Sequence, residues 1–445
     1  MKRALCVLLV IIMITAKFSG CAGEPGLLRI CVDLSYLGMP ESYIDLAMYD
    51  FEVSLEKNVG VTNFAVEYIP ETGAERETAL DRIRTEIMSG GGPDVYIMHC
   101  AGGSAAIPKG EALFLQPEKA METGLFLPLD EYIENARYAE WDKFTPSVMN
   151  AGRTEEGQML IPITYSLPAA MYRAADFQHT PTKMTWDEML SSAQLYDSAA
   201  RLGDGLEMGN AVTGFGLDFP LDYILGRLAD YKNEELAFTE EELLNHVNTM
   251  FELQKHTAKT GAYDTPYWSE GSLGILYSDS SYGYRDRLTR NGLVTSDVFS
   301  LVPFYSDDGG ATAMVQIYAA VNSNTRRPQD AFDVIDYFLA TNRMQDSDLF
   351  KWYLYPVGRH TSMSIHEDMC SEAYPLNRDS FYTSEENFAA MSAVRDQITN
   401  VQFAGQLNIE LQNMMLECYE AHQFGEDYTG IVHRAYETMD RILGE

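Results

Sequence analysis

Three groups of residues in this 445-residue chain invite a chemical reading, and each carries a spacing test. His366-Glu367-Asp368-Met369-Cys370 has the outline of an HExxH zinc-protease helix, but Cys370 stands where the second histidine must be. One ligand is lost and no third is evident, so the metal reading fails. Asp307-Asp308-Gly309-Gly310 combines carboxylates with a turn but lacks the alternating ligands of a calcium loop, and reads as a solvated hairpin or loop turn. The 66 acidic side chains guarantee carboxylate neighbours. Spacing along a chain cannot set two of them roughly 5 to 10 Å apart across a glycosidic bond. The sequence has no GxSxG, P-loop or dinucleotide fingerprint, and no CxxC pair or Cys/His zinc spacing. Catalytic residues, a metal and a cofactor are therefore not expected. What remains is a binding site assembled from residues at or beyond strand ends: Ser35, Tyr36, Met98, His99, Tyr165, Trp268, Asp279 and Tyr282.

The elements that must position them are organised around Glu77–Cys100. Leu80, Ile83 and Ile87 recur at spacings of three and four, so one face of a helix is apolar, and Glu77, Asp81, Arg84 and Glu86 fill much of the rest. Gly90-Gly91-Gly92 ends that helix, since glycine takes a left-handed cap without a steric penalty, and Pro93 cannot resume it. Val95–Met98 follows as a buried strand. Upstream, Leu27–Leu34 reads as a strand, Tyr43–Lys57 as an imperfect helix and Phe64–Ile69 as a second strand. The β-α-β-α-β order predicts a parallel sheet, whose strand ends are where open α/β sheets place ligands. Further on, Thr185 with Glu188, and Thr239 with Glu242, have capping-box spacing. Asp330–Thr341 reads as a helix carrying Phe332, Ile335, Phe338 and Leu339, and Glu385–Ile442 finishes the chain with helical patterns.

Composition narrows the class. A net charge of −34 argues against nucleic acid, whose phosphates it would repel. The 46% hydrophobic and 11% aromatic content excludes bulk disorder, and 27 tyrosines suit a wet cleft as well as a core. Met1-Lys2-Arg3 followed by the apolar run Ala4–Thr15 predicts a secretory signal over residues 1–20, too short to span a membrane comfortably. With Cys6 removed in that signal, Cys31, Cys100, Cys370 and Cys418 are expected mostly as buried free thiols. No internal repeat or Ser/Pro-rich linker interrupts the chain, as fits lobes joined by several short strands.

The run Arg82–Met98, RIRTEIMSGGGPDVYIM, resembles the extracellular solute-binding proteins of ATP-binding-cassette importers, the sugar-binding class especially. Companions extend the resemblance over most of the chain: FAVEYIP before it, then Phe126-Leu127-Pro128-Leu129-Asp130, Gly157–Tyr165, and Pro181 through Thr185-Trp186-Asp187-Glu188. Gly271–Leu276, Gln316–Asn322 and Tyr355-Pro356-Val357-Gly358 continue it, while Arg173 departs where the family has Asn. Phe18-Ser19-Gly20-Cys21 resembles a bacterial lipobox, with Cys21 lipidated and residues 21–26 as a tether. The resemblance implies a two-lobed periplasmic-binding-protein-like α/β fold. Each lobe would be a mainly parallel sheet flanked by helices, with a ligand cleft between them. Lobe 1 would hold 27–133 and 300–352, and lobe 2 would hold 134–299 and 353–445. Tyr282 takes the place of the family's cleft-loop aromatic. The implied function is a monomeric, lipid-anchored receptor on the extracellular face. It would bind an oligosaccharide or sugar derivative by hinge closure and deliver it to the permease subunits of an importer. The alternatives are a secreted carbohydrate-active enzyme, or a non-transporting adhesin or sensor partner on the same fold.

Overall fold

The computed structural model describes residues 26–33, 51–70, 73–101, 112–166, 168–173, 185, 187–188, 190–191, 221–254, 273–277, 299–303, 305–340, 355–356 and 395–445. The chain opens with β1 (Leu28–Asp33), a short π turn at Leu55–Val59, β2 (Phe64–Tyr68), α1 (Gly73–Met88) and β3 (Val95–His99). Short helices α2 (Pro117–Met121), α3 (Asp130–Glu134) and α4 (Pro146–Asn150) lead to a hairpin of β4 (Arg153–Thr154) and β5 (Gly157–Gln158). Then come β6 (Leu160–Ser166), β7 (Pro168–Arg173), α5 (Leu221–Ile224), the pair β8 (Ala229–Asp230) and β9 (Glu235–Leu236), and α6 (Glu240–Gln254). Strands β10 (Leu273–Tyr277), β11 (Phe299–Pro303) and β12 (Ala311–Val321) precede α7 (Pro328–Phe338). The chain closes with β13 (Tyr355–Pro356), β14 (Ile398–Phe403), α8 (Gln406–Gln423) and α9 (Thr429–Gly444).

The αβ unit forms as its residues dictate. Leu80 and Ile83 are buried on α1, and Gly90 (φ 80°) stops the helix while the Gly91 N–H donates to the Glu86 carbonyl at 2.9 Å. Gly92 (φ 101°) has a second reason to be glycine, because a Cβ there would stand 2.9 Å from Ile87 and 3.0 Å from the Tyr96 hydroxyl. Asn322 clamps this turn through Nδ2, 3.0 Å from the carbonyls of both Gly91 and Pro93. Both predicted capping boxes are closed: Thr239 N–H donates to Glu242 at 2.7 Å, and Thr185 N–H to Glu188 at 2.9 Å.

Among the described residues the main sheet has seven strands, in the order β13-β6-β12-β3-β1-β2 with β14 also on β12. β2, β1 and β3 are mutually parallel, as the βαβ order requires, whereas β12 runs antiparallel to β3 and β6. One edge of β12 is shared: Ile317–Val321 pair with β3 and Ala311–Val315 pair with β14. β3 and β14 therefore meet carboxyl end to carboxyl end beside Gln316, whose carbonyl accepts from Cys100 N–H at 2.8 Å. A separate antiparallel sheet is built from β10, β7 and β11. The chain passes between the two sheets at β6 to β7 and at β11 to β12.

Two large hydrophobic cores form among the described residues. The first packs the main sheet and α7 and includes Ile30, Ile97, Phe126, Ile161, Ala319 and Phe332. Phe144, Val148, Leu160, Ile161 and Ile163 also contribute to this first core. The cause is visible at Asp336 on α7, which is fully buried and accepts from the N–H groups of Arg137, Tyr138 and Ala139 and from Trp141 Nε1, at 2.7 to 3.0 Å. One carboxylate thus ties residues 137–141 to the main sheet's helix. The second core is mostly helical, with Val247, Phe251, Leu411, Met414, Val432 and Met439 among its members. The C-terminal reading needs a correction, because 398–403 is the strand β14 and not part of a helix. Its alternation is weak (Ile398, Val401, Phe403), and a one-sided burial pattern is easily mistaken for helical spacing. Cys31, Cys100 and Cys418 are buried free thiols, and Cys370 lies outside the described residues.

Candidate functional site

At the carboxyl ends of β1 and β3, where a ligand is expected, the structure sets a buried charge cluster. Asp33 is the last residue of β1 and His99 the last of β3, and their Oδ1 and Nδ1 atoms lie 3.2 Å apart. Arg76, near the start of α1, reaches both Asp33 oxygens, at 3.1 Å and 2.7 Å, and donates to the Pro70 carbonyl at 2.9 Å. All three side chains are essentially excluded from solvent. Burial alone would push the Asp33 carboxyl up; His99 and Arg76 outweigh it and hold Asp33 well below the usual carboxylate range. A fork-to-fork Arg–carboxylate pair of this kind is rigid and directional.

Of the residues expected in the site, Met98 and His99 are in β3 and Tyr165 is in β6, all buried. Met98 sits across from Tyr318 on β12, His99 across from Ile317, and Tyr165 across from Val315. The described structure thus brings these three to the same stretch of β12. Ser35, Tyr36, Trp268, Asp279 and Tyr282 lie outside the described residues, as do Cys21 and the 366–370 motif. Asp33 and Arg76 were missed. A signal was present for the second: Arg76, Leu80, Ile83 and Ile87 continue one helical stripe at spacings of four, three and four, so Arg76 lies on the buried face. A charged residue on an apolar stripe demands a buried partner.

This cluster does not read as a catalytic triad. Cys100 follows His99 directly and keeps the ladder bond to Gln316, so the two side chains leave the extended chain on opposite faces. Burial also pushes the Cys100 thiol well above its ordinary value, with Glu118 adding to the effect, which leaves little thiolate for attack. Among the described residues no group of three or more His, Cys, Asp or Glu side chains could hold a metal ion.

A second polar seam runs between the two cores. Glu118 on α2 is buried, with Phe403 N–H at 3.4 Å and the Arg227 guanidinium at 3.9 Å. Burial raises its carboxyl to about 7 against the pull of Arg227 and Phe403. Asp222 on α5 accepts from Asn408 Nδ2 at 2.8 Å, and its backbone carbonyl accepts from Gln402 Nε2 at 2.9 Å. Burial takes the Asp222 carboxyl to about 6. Raised carboxyls are what a glycosidase acid needs, but these two already face protein donors, Phe403 N–H and Arg227 at Glu118 and Asn408 at Asp222.

No protein-family model matches the chain, and no curated protein matches it. Solved structures do. An extracellular solute-binding protein family 1 member from Alicyclobacillus acidocaldarius is 16% identical, with a TM-score of 0.60 over 95% of this chain and 100% of that one. A periplasmic oligogalacturonide binding protein from Yersinia enterocolitica is 15% identical, with a TM-score of 0.62 over 94% and 99%. The sugar-binding protein MalE from Xanthomonas citri is 13% identical, with a TM-score of 0.60 over 94% and 97%. The chain has the solute-binding-protein fold. Two other matches, at TM-scores of 0.63 and 0.60, are described as de novo designed esterases, so likeness to the solute-binding-protein fold does not alone separate binding from catalysis. Among the described residues no helix is long and apolar enough to cross a membrane.

Proposed function

We propose that the chain is an extracellular receptor that captures an oligosaccharide or sugar derivative between its lobes and hands it to an ATP-binding-cassette importer. The observation that carries this reading is the match to solute-binding proteins over 94 to 95% of the chain, including proteins named for sugar ligands. The two large cores, together with the short crossings between the two sheets, support hinge closure as the mechanism. Contacts from both lobes would favour the closed state, and no bond in the solute need change. Tethering through Cys21 and contacts from Ser35, Tyr36, Trp268, Asp279 and Tyr282 belong to the same proposal. The buried Asp33–Arg76–His99 cluster serves it by fixing the carboxyl ends of β1 and β3. A thermal-shift screen of the mature protein across sugars, peptides, polyamines and metal ions tests it. A sugar at about 100 times its dissociation constant should add roughly 2.7 kcal/mol of stability. Stabilisation by peptides or polyamines and by no sugar would overturn the sugar assignment.

A further inference from the structure

Two described arginines are buried, and they differ in one respect. Arg76 has its carboxylate in Asp33. Arg395, 7% exposed, has no carboxylate within ion-pair distance among the described residues, and its Nε is buried without a hydrogen-bond partner. Arg326 and Arg441, which also have no ion pair among the described residues, are exposed to water. A guanidinium keeps its charge at any ordinary pH, so a recessed one cannot relieve its desolvation by losing a proton. The chain carries 66 acidic residues, yet none is set against this cation among those described.

Its place in the fold points to a ligand. Arg395 lies three residues before Ile398, the residue of β14 paired with Ala311 at the start of β12. The next residue of β12, Thr312, is fully buried, and its hydroxyl also has no partner among the described residues. The same end of the main sheet holds both crossings to the second sheet. There β6 ends at Ser166, opposite Met314, and the turn at 305–310 brings the chain in from β11. In a two-lobed receptor this is the floor of the cleft.

We infer that Arg395, with the Thr312 hydroxyl beside the same strand end, receives an anionic group of the solute, so that the ligand is an acidic sugar and not a neutral one. The inference rests on the receptor reading and narrows its substrate class. A carboxylate would take the guanidinium in a paired, planar fashion, and a sulfate or phosphate ester would satisfy the same donors.

The test compares wild type, Arg395→Gln and Arg395→Lys in the full mature chain. The probes are trigalacturonate, its fully methyl-esterified neutral counterpart, maltotriose, inorganic sulfate and inorganic phosphate, all at matched ionic strength. Wild type should bind the acid about tenfold or more tighter than its ester, and Arg395→Gln should lose that preference while Arg395→Lys keeps part of it. Because the cation is unpaired, apo Arg395→Gln should melt within about 2 °C of wild type or above it. A fall of more than about 5 °C would make Arg395 a structural residue and overturn the inference. So would an adventitious ion only, in which sulfate or phosphate binds but no acidic sugar distinguishes wild type from Arg395→Gln. Equal stabilisation of both proteins by maltotriose would remove the acidic-sugar inference and leave the receptor reading standing. Silence of every sugar, in this set and in the wider screen, would remove both.

Discussion

Asp33→Ala is expected to destabilise the protein by about 3–5 kcal/mol, the cost of stranding one partner of a buried ion pair. Arg76 would be left fully buried without its carboxylate, though still donating to the Pro70 carbonyl. His99, 3.2 Å from Asp33, would lose that contact as well. The loss should appear in urea unfolding as a lower midpoint with an unchanged slope. Replacing both partners at once, Asp33→Leu with Arg76→Met, should recover much of it, because an apolar pair of similar volume removes the stranded charge. A change below about 1 kcal/mol for Asp33→Ala would mean that Arg76 is satisfied by other groups.

Stability is expected to fall as pH rises from about 4 to 8, and Glu118 and Asp222 are the cause. Their carboxyls stand near 7 and 6 in the folded chain, above the ordinary values they regain on unfolding. Between those limits the folded state holds more protons, so raising the pH favours unfolding. The contribution is complete below about pH 4 and is lost as pH passes through 6 and 7. At roughly 1.4 kcal/mol per pKa unit, each group accounts for about 3 kcal/mol across the window. Asp33 acts in the opposite direction: its carboxyl is held low, so its stabilisation is present at neutral pH and fades below about pH 4. Maximum stability should therefore lie on the acidic side of neutrality. Urea midpoints measured from pH 4.5 to 8.5 should decline in wild type, and less steeply in Glu118→Gln and in Asp222→Asn. A midpoint that rises with pH would contradict this assignment.

Much of the frame was legible because it rests on local rules. The α1 stripe, its Gly-Pro stop and the β3 run are written in periodicity and punctuation, and both capping boxes follow from residue spacing. β12 begins five residues before its expected start because Ala311–Val315 takes β14 as a second partner on that edge. Pairing of that kind between residues almost ninety positions apart leaves no local mark. The site was legible only in part for the same reason. Met98, His99 and Tyr165 are legible from strand ends, while the ion pair that holds the neighbouring end of β1 joins residues 43 positions apart. Arg76 on an apolar stripe shows that a buried charge is wanted but not which strand supplies its partner.

The central claim is reversible capture of a sugar without turnover. Its most direct test is titration calorimetry of the mature protein with each sugar that raises its melting temperature, followed by mass spectrometry of the sugar recovered from the same cell. The expected result is saturable binding at one site per chain, with the sugar recovered intact. Product in excess of one equivalent per chain would show an enzyme and contradict it.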